Sequence, residues 1–156
     1  MNSPNRRTFL LSASAVACFS SSGQAAGTFE ITRTDAQWRA MLTETQYLVM
    51  RKEKTENPYS SPLNDQKAAG TYICRGCDLP LYASRTKYDS GTGWPSFTAP
   101  LKNAVGTKPD NTLFTTRTEV HCRRCGSHLG HIFDDGPAPA GKRHCLNGAS
   151  LVFVAK

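Results

Sequence analysis

No run of apolar residues in this chain approaches the ~18–20 that a membrane-spanning helix needs, so stable insertion as a spanning helix is excluded. No dense basic cluster occurs either. The cationic runs are no longer than pairs such as Arg123-Arg124 and Lys142-Arg143, which argues against nucleic-acid binding through a basic stripe. Apolar residues are sparse, at 38% against 20% charged, yet the balance is not that of a disordered chain. The 156 residues leave room for one domain, so a multi-domain machine is also excluded. What the chain has in quantity is 12 Gly and 9 Pro, which favour turns and short elements over long helices. It also has 6 Cys, a high count for this length, and their spacing is the strongest chemical signal in the sequence.

The N-terminus lacks acid and reads as an address. Arg6 and Arg7 precede a weakly apolar run from Thr8 to Phe19, and Gly23-Gln24-Ala25 supplies small residues for cleavage. Asn5-Arg6-Arg7-Thr8-Phe9-Leu10 is similar to a twin-arginine signal, which exports folded proteins. Residues 1–26 are therefore expected to be an export signal to the bacterial periplasm, with residues 27–156 as the single domain. A disordered basic tail is the plain alternative. Lipid attachment at Cys18 is a lesser one, because Ala15 fits poorly where a large aliphatic residue is wanted. Without Arg6 and Arg7 the formal charge falls from +7 to +5, which favours solubility more than any partner.

Thr34-Asp35-Ala36-Gln37 has the form of a capping box, and Trp38, Met41 and Leu42 come next on one helical face. A second short helix is expected over Glu44 to Lys52, ended by Asn57-Pro58 and Ser61-Pro62. From Gly70 onward the pattern is β-prone: Tyr72-Ile73, Leu79 to Tyr82, Thr112 to Val120 and Ala149 to Val154. The expected fold class is mainly β, a largely antiparallel domain behind a helical arm.

Cys74-Arg75-Gly76-Cys77 and Cys122-Arg123-Arg124-Cys125 are two CxxC motifs, followed by the turn formers Asp78 and Gly126. Two such turns facing each other build a tetrahedral thiolate site with Zn–S distances of about 2.3 Å. Four thiolates leave no open position, so the site is structural and its metal contributes to folding. Two disulfides, a thioredoxin-like redox pair, or iron in place of zinc are the alternatives.

Cys145 is the cysteine left over outside the leader. It is either a buried structural residue or a reactive thiol, with Lys142, Arg143 and His144 as cationic neighbours that favour the thiolate. Asn147, two residues on, falls on the same side if the segment is extended. His128 and His131 suit proton transfer near neutral pH once the thiolates have claimed the metal. Trp94 and Phe97, in Gly93-Trp94-Pro95-Ser96-Phe97, are either core packing or one wall of a small apolar pocket.

Together these residues resemble the methionine sulfoxide reductase B family, from about Thr34 to Val154. The carrying motifs are the two CxxC pairs, Ser90-Gly91-Thr92-Gly93-Trp94-Pro95-Ser96-Phe97, His128-Leu129-Gly130-His131-Ile132-Phe133, Asp135-Gly136-Pro137 and Arg143-His144-Cys145-Leu146-Asn147. The resemblance implies two antiparallel β-sheets with N-terminal helices and one structural zinc on Cys74, Cys77, Cys122 and Cys125. It implies reduction of the R epimer of methionine sulfoxide, usually within oxidised proteins or peptides. Cys145 would attack the sulfoxide sulfur and become a sulfenic acid. By the same resemblance, His128 and His131 would protonate or hydrogen-bond the oxygen. Asn147 and Arg143 would orient the site and tune Cys145. Trp94, with Phe97, would hold the substrate, and Asp135 would position one histidine.

Two positions depart from the family. Thr92 stands where many members carry a resolving cysteine, so regeneration would need an external reductant, thioredoxin-like or a small thiol. Gly148 stands where a serine is common, removing a hydroxyl near the nucleophile. The competing readings are a non-catalytic zinc-ribbon-type interaction module and a disulfide oxidoreductase working through one CxxC. Cys145 beside two imidazoles separates the enzyme from the first, and metal content separates it from the second.

Overall fold

The computed structural model describes residues 29–156, so the expected export segment and Cys18 lie outside the described residues. Two short helices open the domain, α1 (Asp35–Met41) and α2 (Glu44–Lys52). Both start with a full capping box, Thr34 with Gln37 and Thr43 with Gln46, which satisfies backbone donors that a helix start leaves free. α2 ends where Glu53 turns left-handed at φ 54°. Trp38 is buried between the guanidinium groups of Arg33 and Arg51, at 4.8 and 4.7 Å from its ring centre. Met41, expected on the same face, points to solvent instead, because α1 stops after two turns and leaves its last residue unpacked.

Nine strands come after the helices: β1 (Gly70–Cys74), β2 (Pro80–Ala83), β3 (Lys87–Tyr88), β4 (Ser96–Phe97), β5 (Val105–Asp110), β6 (Arg117–Cys122), β7 (His128–Phe133), β8 (Arg143–Leu146) and β9 (Leu151–Ala155). They form a three-stranded sheet, β2-β1-β9, and a six-stranded sheet, β3-β4-β8-β7-β6-β5. Every pairing is antiparallel. The fold is mainly β, as expected. The long strand expected over Thr112 to Val120 is not formed. Asp110 takes the Thr112 backbone N–H and hydroxyl, turning the chain into a loop, and β6 begins only at Arg117. β5 carries no clear strand signal because it contains Gly106 and Pro109; it is an edge strand, where a missing donor is tolerated.

Tyr72, Leu81, Tyr82, Phe97, Leu129, Leu146 and Leu151 are buried together between the sheets. Phe97 packs against Tyr82 and Tyr72, with ring centres 4.6 and 4.9 Å away. Phe97 is thus a core residue and not a pocket wall. Side chains alternate along a strand, and on β4 it is Ser96 that faces Cys145. No described helix is long and apolar enough to cross a membrane.

Candidate active site

The six-stranded sheet sets a row of side chains in register. Ser96 pairs with Cys145, Cys145 with His131, His131 with Glu119, and Glu119 with Lys108. Residues paired across antiparallel strands share a face. The two histidines need a further device, because positions three apart on a regular strand face opposite ways. The β6–β7 register slips between Val120 and His121, a bulge that takes up Leu129. It turns His128 onto the His131 face, with the rings 5.3 Å apart. Gly130 is required beside them, because a Cβ there would strike the Cys145 carbonyl on β8.

A cavity of about 150 Å³ opens on this face, walled by Thr55, Trp94, Arg117, His131, Phe133, Cys145 and Asn147. It is large enough for the end of one side chain and smaller than the ~300 Å³ a drug-sized ligand needs. Cys145 is a free, half-buried thiol. Burial pushes it above its ordinary value, while Arg143 and the Thr92 and Ser96 hydroxyls pull it down. The cationic neighbourhood is therefore narrower than the sequence suggests. His144 faces away and bonds the Tyr82 hydroxyl at 2.9 Å, and Lys142 pairs with Asp134.

His131 places Nε2 2.7 Å from Asp110 Oδ2. Burial pulls its imidazole below the usual range, and Asp110 opposes this. Two bonds from Thr112, together with His131 and Arg117, hold the Asp110 carboxyl far below the carboxylate range. His128 is 2% exposed and is not among the cavity walls. Its Nδ1 lies 3.0 Å from Glu119 Oε1, poorly aligned for a hydrogen bond, and Lys108 closes the other side of that carboxylate at 2.9 Å.

Asp135 touches neither histidine. It grips Arg143 through two bonds of 2.8 Å, and Arg143 in turn lies over the Phe133 ring at 4.5 Å. The carboxylates on the histidines are Asp110 and Glu119. Both sit on β5 and β6, whose pairing no local motif reveals.

Glu56 also belongs to no motif, yet it holds two cavity walls. Its backbone N–H donates to Asn147 Oδ1 at 3.0 Å, and its carbonyl accepts from Trp94 Nε1 at 3.1 Å. Its carboxylate takes the Gly148 and Ala149 N–H groups. Asn147 also donates through Nδ2 to the Leu129 carbonyl at 3.2 Å, which fixes its amide. At Gly148, where the sequence lacks a hydroxyl, a Cβ would run into the Ser61 side chain, which fills the space.

Beyond the cavity, the four CxxC thiols converge within 4.8 Å of one another. Cys74 and Cys125 Sγ are 3.7 Å apart, and Cys77 and Cys122 Sγ are 3.5 Å apart. These exceed the ~2.05 Å of a disulfide. They match the ~3.8 Å edge of a tetrahedron with Zn–S of about 2.3 Å. Asp78 and Gly126, directly after each motif, turn left-handed at φ 57° and 67° and close the two knuckles. The donor set therefore fits a structural metal that staples the β1–β2 turn to the β6–β7 turn.

Thr92 Oγ1 lies 4.0 Å from Cys145 Sγ, in the place expected for a second thiol. The arrangement supplies a thiol nucleophile, an adjacent imidazole and an aromatic wall around a small opening.

Residues 42–155 match the SelR domain model. The peptide methionine sulfoxide reductase MsrB of Hahella chejuensis is 47% identical over 80% of this chain and 90% of its own length. That of Thiobacillus denitrificans is 50% identical over 80% of this chain and 95% of its own length. That of Agrobacterium fabrum is 46% identical over 80% and 93%. On that match and those identities, this chain belongs to the MsrB family.

Proposed function

We propose that this chain reduces the R epimer of methionine sulfoxide in oxidised polypeptides, with Cys145 as nucleophile. The observation that carries the reading is Cys145 lining a cavity of about 150 Å³ together with His131 and Trp94. The Cys145 sulfur attacks the positively polarised sulfoxide sulfur. An S–S bond forms, the S–O bond breaks, and the oxygen leaves as water with His131 supplying one of its two protons. Water then adds to Cys145 Sγ and gives up a proton, the S–S bond breaks with its electron pair passing to the methionine sulfur, and methionine leaves with Cys145 as a sulfenic acid. Trp94 receives the substrate methyl group, a contact worth ~0.3–1.5 kcal/mol. Asn147 orients the sulfoxide, and Arg143 favours the thiolate. His128 supports His131 from behind.

Regeneration is external in this reading. A first thiol condenses with the sulfenic acid and releases water, and a second thiol reduces the mixed disulfide and restores Cys145. Thr92 offers no sulfur, and the four remaining described cysteines stand in the quartet. The reductant is a thioredoxin-like protein or a small thiol. The quartet holds one zinc as a structural staple. The Arg6-Arg7 leader directs the protein to the periplasm by the twin-arginine route.

Peptide mapping after one turnover without reductant tests this scheme. A sulfenic-acid adduct on Cys145, with no disulfide to another cysteine of the chain, is expected. A stoichiometric internal disulfide on Cys145 rules the external route out.

A further inference from the structure

Three hydroxyls run in a chain beside Cys145. Ser96 is fully buried and stands opposite Cys145 in the β4–β8 pairing. Its Oγ donates to the Trp94 carbonyl at 3.1 Å and lies 2.8 Å from Ser90 Oγ. Ser90 Oγ is 2.8 Å from Thr92 Oγ1, and Thr92 Oγ1 is 4.0 Å from Cys145 Sγ, at the reach of a hydrogen bond to sulfur.

The turn that carries these hydroxyls is fixed. Gly91 and Gly93, on either side of Thr92, have φ 70° and 92°, conformations that favour glycine. Asp89 Oδ1 accepts the Gly91 N–H at 2.9 Å. The Gly91 carbonyl accepts the Tyr59 hydroxyl at 2.8 Å, and the Gly93 carbonyl accepts the Tyr59 N–H at 2.7 Å and Asn64 Nδ2 at 3.0 Å. The Pro95 carbonyl accepts the Leu146 N–H at 2.9 Å, next to the thiol. With the backbone pinned, the hydroxyl protons are the parts left to turn.

Each hydroxyl has one proton to give and lone pairs to receive. The Trp94 carbonyl only accepts, so Ser96 spends its proton there, Ser90 donates to Ser96, and Thr92 donates to Ser90. Thr92 then turns a lone pair to the sulfur, which suits a thiol that donates its own proton. In that state the four links from sulfur to carbonyl hold one proton each. Ionisation of Cys145 removes one proton, so one link must lie empty. A hydrogen bond to an ion is roughly twice as strong as a neutral one, so the empty link falls at the Trp94 carbonyl and the others reverse.

The titratable and charged groups around the sulfur are His131 with Asp110, Arg143 with Asp135, Tyr88, and Arg117 in the cavity wall. Among the described residues, no hydrogen bond joins any of them to Ser90, Thr92 or Ser96. The direction of the chain is therefore set at its two ends, by the sulfur and by the Trp94 carbonyl.

We propose that Thr92 is a catalytic hydrogen-bond donor to Cys145, and that Ser90 and Ser96 are positioning residues in a chain whose direction reverses with the charge on the sulfur. While the sulfur keeps its proton, the chain runs from Cys145 to the Trp94 carbonyl. When the sulfur ionises, it runs from Ser96 to Cys145, and Thr92 donates to the thiolate. Thr92 thus serves the nucleophile itself. Its bearing on turnover rests on Cys145 being the nucleophile of the proposed reductase.

The test follows alkylation of Cys145 by iodoacetamide against pH in the metal-loaded protein, read from the mass of the Cys145 peptide, because the thiolate is the reactive form. Thr92→Val and Thr92→Ala both lack the hydroxyl. Each is expected to raise the alkylation midpoint by roughly one pH unit, about a tenfold loss of rate near neutral pH. Thr92→Ser is expected to restore the wild-type midpoint. Ser90→Ala removes two links from the thiol state and, on balance, one from the thiolate state, so its midpoint is expected at or below that of the wild type. An unchanged midpoint in both hydroxyl-free variants overturns the donor, and so does a Thr92→Ser midpoint as high as theirs. A raised midpoint in Ser90→Ala overturns the reversal, because only a chain fixed towards the sulfur loses support there. Consumption of N-acetyl-methionine-R-sulfoxide methylamide by the wild type, with a small dithiol, is followed in parallel. Its absence overturns the reductase reading, while the alkylation midpoints decide the hydrogen bond separately.

Discussion

Cys145 on β8 stands directly opposite His131 on β7, and the far nitrogen of that imidazole is 2.7 Å from Asp110. The imidazole thus stands between the strand that carries the thiol and the Asp110 carboxylate that reaches it from β5. Asp110→Asn keeps the shape but removes the charge that supports a protonated ring. A fall in kcat of about 10–100-fold is expected, together with a lower melting temperature because Arg117 loses its partner, so the kinetics are read at a temperature where thermal denaturation shows the variant folded.

The same pair sets the pH profile. Burial lowers His131 from 6.5 and raises Cys145 from 9.0. The competent state carries one proton between them. It is lost at acid pH when the imidazole protonates beside an intact thiol, and at alkaline pH when both are deprotonated. The profile of kcat/KM should be a broad plateau, with its acid limb below 6.5 and its alkaline limb above 9.0. An acid limb well above neutrality contradicts this.

Glu56 touches no catalytic atom, yet it ties Trp94 and Asn147 to the turn at Gly148. Glu56→Ala keeps its backbone bonds to Asn147 and Trp94 but removes the carboxylate that anchors this segment to the Gly148 and Ala149 N–H groups, leaving those two donors unpaired at a cost of about 1–3 kcal/mol of stability and loosening the segment that holds both walls. KM is expected to rise several-fold. The rise should be smaller in a Trp94→Ala background, because the wall it positions is already gone. Full additivity of the two changes speaks for a purely structural role.

Gly148 and Ser61 share one space. Gly148→Ser alone is expected to destabilise the protein by about 1–3 kcal/mol through overpacking. Adding Ser61→Gly should recover most of that loss, as measured by chemical denaturation.

Stability should fall in mild acid through His144. Its folded value is pushed down to about 4 by burial, from 6.5. The unfolded chain therefore binds the proton first. The contribution is present above pH 6.5 and is lost as pH falls towards 4. His144→Phe should flatten the melting temperature over that window.

Features set by local chemistry are legible in the sequence. The capping box at Thr34 and the Glu44–Lys52 helix can be read because helix signals span four residues. The thiol quartet can be read because CxxC spacing carries its own geometry. Features set by long-range pairing are not legible. Nothing near His131 names Asp110, and nothing near Trp94 names Glu56. The HxxH spacing hides a bulge, and Phe97 passes for a pocket wall until strand alternation is fixed. Asp135, expected on a histidine, holds Arg143 instead, because only the folded loop brings the two together.

The most direct measurement follows both methionine sulfoxide epimers separately with a dithiol reductant, for the wild type and for Cys145→Ser. Consumption of the R epimer alone, absent in Cys145→Ser, is the predicted result. Undiminished consumption by folded Cys145→Ser, or none by metal-loaded wild type, contradicts the account.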